Sequence, residues 1–175
     1  TTLIDLKNKI CGCLWNLSVA PENRKYMASA PLGILDALSG ILGSSVNDEP
    51  PEDEMEAKSM EETATKSCVI IQNLAGETAN HELMIDPKFD LMRTLASVIL
   101  YKTGDIRLKA FGAIVNLSLS QDTQGAIGGA EGAFAALMSI LMDESVGDFR
   151  ARAAGVLQNL AVDTNNRVLM GADSS

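Results

Sequence analysis

Residues 13–27 read "CLWNLSVAPENRKYM". Asn is a poor helix former, yet Asn16 sits inside an apolar run, directly before Leu17. The choice recurs as "IQNLA" at Asn73, "IVNLS" at Asn116 and "LQNLA" at Asn159, at spacings of 57, 43 and 43 residues. Reading outward, an acid stands eleven residues before each Asn: Asp5, Glu62, Asp105 and Asp148. A base stands seven before, and Leu14, Ile71, Ile114 and Leu157 stand two before. Asn23, Asn80, Thr123 and Asn166 stand seven after, and Met27, Met84, Ile127 and Met170 eleven after. Agreement in phase at this many positions is internal repetition.

Each unit reads as three helices. The acid is an N-cap or first-turn residue of a long helix. Apolar positions two, five and six before the Asn, and one after it, form one broad face at 100° per residue. A short helix then carries the Met or Ile. A third helix follows in "PLGILDALSGIL", "KFDLMRTLASVIL" and "GAFAALMSIL". Its core positions are Leu38, Ile41 and Leu42, then Leu95, Val98 and Ile99, then Leu137, Ile140 and Leu141. One such unit cannot bury its own apolar faces, so units must stack on one another. The spacing places complete units at 5–47, 62–104 and 105–147, and a fourth at 148–175 without its third helix. Residues 48–61, with Pro50-Pro51 and many charges, are predicted as a disordered acidic loop insertion.

Composition agrees with an all-α chain. Aromatic residues make up 4% while Ala, Leu, Met and Ile are common, which favours helices over a β sandwich. A length of 175 residues suits one domain with a real core. Of the net charge of −9, the stretch Asp48 to Glu62 contributes eight acids against one Lys, leaving a nearly neutral body. A nucleic-acid surface needs a basic excess, so that partner class is excluded. No apolar run approaches the roughly 20 residues of a membrane span, so no membrane insertion is expected. Cys11, Cys13 and Cys68 lack framework spacing and read as free thiols of a reducing compartment. That places the protein in the cytoplasm, with the nucleus as the alternative. The chain starts with Thr, carries no signal-peptide pattern and reads as a segment of a longer protein.

No catalytic constellation is legible. His81, the only His, shares a variable position with Arg24, Gln124 and Arg167 and reads as a surface residue. Cys11 and Cys68 align with Phe111 and Ala154 at a core position. Cys11 and Cys13 form C-x-C, not the paired C-x-x-C of a zinc site. "GAIGGAEG" at 125–132 links two helices and lacks the Gly-Lys-Ser/Thr of a phosphate loop. Trp15 reads as filling a gap between units. No catalytic residue, metal site or cofactor is predicted, and the chain is not expected to be an enzyme.

These motifs resemble the armadillo repeat. "ICGCLWNLSVAPENRKYM" at 10–27 is similar to the repeats of beta-catenin, plakophilin, adenomatous polyposis coli and vacuolar armadillo proteins. The resemblance covers nearly the whole chain outside the acidic insertion. It implies a right-handed α-solenoid of about three and a half repeats, whose long helices line a concave groove. In that groove a ladder formed by Asn16, Asn73, Asn116 and Asn159 would hold an extended partner chain. Importin-alpha repeats carry a Trp one helical turn before the Asn, where this chain has Gly12, Val69, Gly112 and Gly155. The catenin-like branch therefore fits better than a Trp–Asn cage for lysine-rich import signals.

The residues give the same stripe a physical use. On a helical wheel the Asn and the positions four and seven before it fall within about 60° of each other. An Asn amide carries donor and acceptor ends for a peptide backbone. Gly12, Gly112 and Gly155 permit close approach as a groove floor. Lys9, Lys66, Lys109 and Arg152 form a row that suits acidic or phosphorylated partners. Plainer roles stand beside these: Asn bonding a neighbouring helix end, Gly serving helix packing, bases on a solvated face. The acidic insertion reads as an inert loop or as an internal competitor folded over the basic row.

The expected function is a scaffold or adaptor, of the kind used in adhesion or signalling, that binds extended segments of other proteins. The alternatives are cargo binding like a nuclear import receptor, and the targeting repeats of a larger signalling or catalytic protein. Uncapped terminal repeats are expected to self-associate or fray.

Overall fold

The computed structural model describes residues 2–172, without the side chains of Ala30 and Ala172. Among these residues the protein is all-helical. Its eleven α-helices are α1 (Leu3–Val19), α2 (Pro21–Ala28), α3 (Ile34–Asn47), α4 (Glu54–Ala75), α5 (His81–Met84), α6 (Leu91–Tyr101), α7 (Gly104–Ser118), α8 (Gln121–Gly128), α9 (Ala133–Leu141), α10 (Phe149–Leu160) and α11 (Thr164–Ala172).

Helices of equal rank lie side by side. The long helices α1, α4, α7 and α10 form one row and the third helices α3, α6 and α9 another. Each third helix also packs on the next long helix, α3 on α4, α6 on α7 and α9 on α10. The core lies between the rows. Leu38 and Leu42, Leu95 and Ile99, and Leu137 and Ile140 are fully buried there, with Ile71 and Ile114 from the long helices.

Local chemistry sets the boundaries. Thr2 caps α1 by accepting the Asp5 N–H at 3.3 Å, and Asp53 caps α4 by accepting the Glu56 N–H at 2.9 Å. The entry to each third helix needs one left-handed residue, supplied by Gly33 (φ 61°), Asp90 (φ 50°) and Gly132 (φ 76°). Asp90 is the non-glycine of the three and carries the strain of a Cβ; its carboxylate accepts from Arg93 Nε at 2.7 Å.

The structure corrects the acidic insertion. Only residues 48–53 lie outside helices; residues 54–61 form the first two turns of α4. Glu, Met, Ala and Lys are good helix formers, and acids in the first turn interact favourably with the helix dipole. Glu62, read as a helix start, is therefore interior to α4, whereas Asp5 and Asp105 lie in first turns and Asp148 is an N-cap. The insertion makes no ion pair with the basic row: among the described residues the ion pairs are Lys88–Asp86, Arg93–Asp90 and Arg107–Asp143.

Arg107 ties three helices together. Its Nε donates to the Ile99 carbonyl at 3.0 Å and its Nη2 to the Ser139 carbonyl at 3.0 Å. Its Nη1 meets the Asp143 carboxylate at 2.5 Å. The last carbonyls of α6 and α9, which lack intrahelical donors, thus receive a cation. The Ser145 hydroxyl, then Arg107 and the Ser145 N–H, hold the Asp143 carboxyl at about 2, below its ordinary 3.8. A depressed folded value stabilises the fold above the ordinary value and ceases to do so as pH falls through about 2. The urea midpoint of the wild type should therefore drop more steeply between pH 5 and pH 2 than that of Asp143→Asn. Parallel curves would refute the assignment.

Candidate functional site

Each ladder Asn sits near the C-terminal end of a long helix, and the amides are already partly used. Asn73 Nδ2 donates to Ser18 Oγ at 2.9 Å, Asn116 Nδ2 to the Gln72 carbonyl at 3.0 Å, and Asn159 Nδ2 to Ser118 Oγ at 3.4 Å. Every one of these bonds runs to the preceding long helix. The three Asn are half-buried, none of their Oδ1 atoms accepts a hydrogen bond among the described residues, and none is buried without a partner. The donor end joins neighbouring helices while the acceptor end faces solvent. Asn16, on the first helix, is exposed. A cleft of about 380 Å³ opens beside Asn116, walled by Gly76, Thr78, His81, Leu119 and Ser120.

The basic row is not uniform. Lys9 and Arg152 are exposed, and Lys66 and Lys109 are half-buried. Lys66 Nζ donates to Asn8 Oδ1 at 2.5 Å, and Asn8 Nδ2 in turn donates to Ser59 Oγ and to Glu62 Oε2 at 3.0 Å. Arg152 stands over the Phe149 ring at 5.4 Å. None of the four bases is in an ion pair among the described residues. A hollow of about 590 Å³ between α1 and α4 is walled by Asp5, Asp53, Glu56 and Glu62 against the single base Lys58. The α1–α4 end of the row is therefore bordered by a net-acidic hollow.

The glycines separate. Gly112 is buried under Gln72 of α4, where a Cβ would stand 2.5 Å from Nε2, so it serves packing and not a groove floor. Gly12 and Gly155 have nothing within 4 Å of a Cβ. Gly12→Ala and Gly155→Ala should each stabilise the fold by up to about 1 kcal/mol through helix propensity. Thermal melting checks this, and a fall in stability at either position would contradict the open space.

A second set of polar residues carries structure that the sequence reading did not assign. Asn80 Nδ2 donates to the Leu74 carbonyl of its own unit and the Arg24 carbonyl of the preceding one. Asn166 does the same with Leu160 and Gln124, and Thr123 and Asn23 bond Leu117 and Leu17. The next residue also reaches the long helix: Arg24 to Ser18, His81 to Ala75, Gln124 to Ser118 and Arg167 to Ala161. His81 is thus buried rather than a surface residue. Its Nε2 lies 2.8 Å from the Ala75 carbonyl and its Nδ1 has no partner among the described residues. The phase "Asn, then seven on" held this signal.

Cys11 and Cys68 are buried, and burial raises both thiols, that of Cys68 to about 12. Ala154, at the same position, is exposed on the last long helix. Trp15 is 40% exposed and fills no interior gap. Gly125–Gly128 belong to α8, so only the second half of "GAIGGAEG" is a link. Among the described residues no helix is long and apolar enough to cross a membrane, and no group of three or more His, Cys, Asp or Glu could hold a metal ion. Comparison with protein-family models, curated proteins and solved structures found no match.

Proposed function

We propose that this chain is an armadillo-type right-handed α-solenoid of about three and a half repeats and acts as a binding scaffold, not a catalyst. It takes extended acidic or phosphorylated segments of partner proteins along its row of long helices. One observation carries the reading: three successive Asn side chains are held in register by the preceding helix, with Oδ1 left unpaired. A peptide N–H donates to such an acceptor whatever its side chain, at about 0.5–1.5 kcal/mol net each. Lys109 and Arg152, free of ion pairs, favour anionic side chains. The acidic hollow between α1 and α4 repels the same segment, so it seats towards α7 and α10.

The test is a peptide-display selection on this chain beside Asn73→Ala/Asn116→Ala. Loss of two acceptors should weaken selected peptides about 5- to 140-fold, the conversion of two such hydrogen bonds. Because each Asn also joins two helices, Ser18→Ala is the matched control. It removes the internal partner of Asn73 but keeps both acceptors, and should lower stability while weakening the selected peptides less than the double variant does. Enrichment of the same peptides by both chains would place the binding surface elsewhere. Selection of lysine-rich peptides would favour cargo binding of the import-receptor kind.

A further inference from the structure

At the C-terminal end of the long helices, the residue three after the ladder Asn is Val19, Gly76, Leu119 and Val162 in turn. Leu119 is 73% exposed although long helices pack on both sides of α7, and Val19 and Val162 are exposed as well. An apolar side chain thus stands in solvent beside the ladder in three units, and the second unit has none. The backbone does not ask for glycine there: Gly76 has φ −71° and ψ −9°, which any residue adopts. What this glycine supplies is space. The cleft of about 380 Å³ beside Asn116 opens over it, walled by Leu119 and His81. The surroundings are fixed. His81 Nε2 lies 2.8 Å from the Ala75 carbonyl, and Asn116 Nδ2 donates to the Gln72 carbonyl. Arg24 donates through Nε to the Ser18 carbonyl and through Nη2 to the Val19 carbonyl. Its Nη1 makes no hydrogen bond among the described residues and stands 3.4 Å from where a Cβ of Gly76 would be.

We propose that this cleft seats one uncharged aromatic side chain, Phe or Tyr, of a partner segment. The proposal rests on the ladder reading above and adds the side chain that anchors the segment. Two charges choose the occupant. The floor is the end of α4, where the helix dipole is negative and disfavours a carboxylate. The Arg24 guanidinium at the edge disfavours Lys or Arg. An aromatic ring suits both, with its positive edge towards the carbonyls and its negative face towards the guanidinium. Leu119 gives the ring an apolar wall, and the hydroxyls of Thr78 and Ser120 are placed for a Tyr hydroxyl. Pinned walls cost little ordering when the ring enters. Because the gap occurs in one unit only, it fixes where a segment lies along an otherwise repeating ladder.

The test uses N-acetyl-phenylalaninamide alone, titrated into the chain while amide NMR shifts are read. Shifts should gather at Gly76, Thr78, Leu119 and Ser120, with a millimolar dissociation constant. N-acetyl-leucinamide should bind about 5-fold more weakly, the conversion of roughly 1 kcal/mol of ring electrostatics. Gly76→Val, which restores the side chain of units one and four at a helical φ, should abolish the shifts. Leu119→Ala changes an exposed side chain, leaves the fold intact and should weaken the probe several-fold. Shifts spread evenly over the chain, a leucine probe bound as well as the phenylalanine one, or a Gly76→Val chain that still binds would each overturn the proposal. The probe is too short to span two ladder positions, so the two readings separate. A ring seated here while display yields no Asn-dependent peptide would support the pocket and count against the ladder. Asn-dependent peptides with no seat for the ring would do the reverse.

Discussion

Phe111→Ala should lower the unfolding free energy by about 4 kcal/mol, within the range for truncating a buried aromatic. Phe111 is fully buried on α7, edge-on to Phe149 of α10 with ring centroids 6.1 Å apart. Its position is held by Cys in the first two units and by Ala in the fourth, so this one site packs units three and four through a large ring. The neighbours α4 and α10 refill such a space only in part, which adds a cavity cost to the lost transfer free energy. Because α10 and α11 pack mainly on α7, α8 and α9, the loss should appear first as faster hydrogen exchange in residues 149–172. Urea unfolding with a change below about 1 kcal/mol, or exchange raised evenly along the chain, would refute this account.

Gly128→Ala should cost about 3 kcal/mol although it adds one methyl group. That Cβ would stand 2.1 Å from Asn166 Oδ1 and 2.4 Å from its Cγ. Asn166 is 1% exposed and pinned by bonds to the Gln124 and Leu160 carbonyls at 2.8 and 3.1 Å. Displacing it strips its buried amide of both acceptors, at about 1–3 kcal/mol for each lost bond, less up to about 1 kcal/mol gained in helix propensity. Gly112→Ala is the contrast: its Cβ meets the end of Gln72, whose side chain makes no hydrogen bond among the described residues and can swing aside, so its cost should stay below about 1 kcal/mol. In Gly128→Ala/Asn166→Ala the two costs should overlap strongly, since both act through one pair of carbonyls. Additive losses would show that Asn166 is not what the methyl displaces.

What was legible in the sequence follows from what repeats. The third-helix apolar positions recur in every complete unit, and Leu38, Leu95 and Leu137 are all buried. Phase fails where no neighbouring helix lies among the described residues: Leu17 and Ala154 match core residues elsewhere yet lie exposed. His81 was misread because variety among Arg24, His81, Gln124 and Arg167 looked like tolerance at a surface. What the position requires is only a donor long enough to reach the end of the long helix, and four different side chains supply one. The first turns of α4 were hidden by Pro50-Pro51 and by charge density, although Asp53 followed three residues later by Glu56 is a helix-start pattern. At the ladder, sequence alone does not tell which end of an amide faces inward. The answer comes from Ser18, Gln72 and Ser118, which belong to the preceding helix.

The extra turns of α4 bear on how the chain finds its own order. At 22 residues α4 spans about 33 Å, against about 22 Å for the 15 residues of α7. Look-alike units carry a hazard, because a newly made helix can settle against the wrong sibling and trap the chain one unit out of step. An overhang that only α4 possesses, and a large ring that only Phe111 supplies, make the siblings unequal. A chain shifted by one unit would leave the overhang without Asn8 beneath it and Phe111 without Phe149. These irregularities, which look like blemishes in the repeat, number the units so that they assemble in sequence.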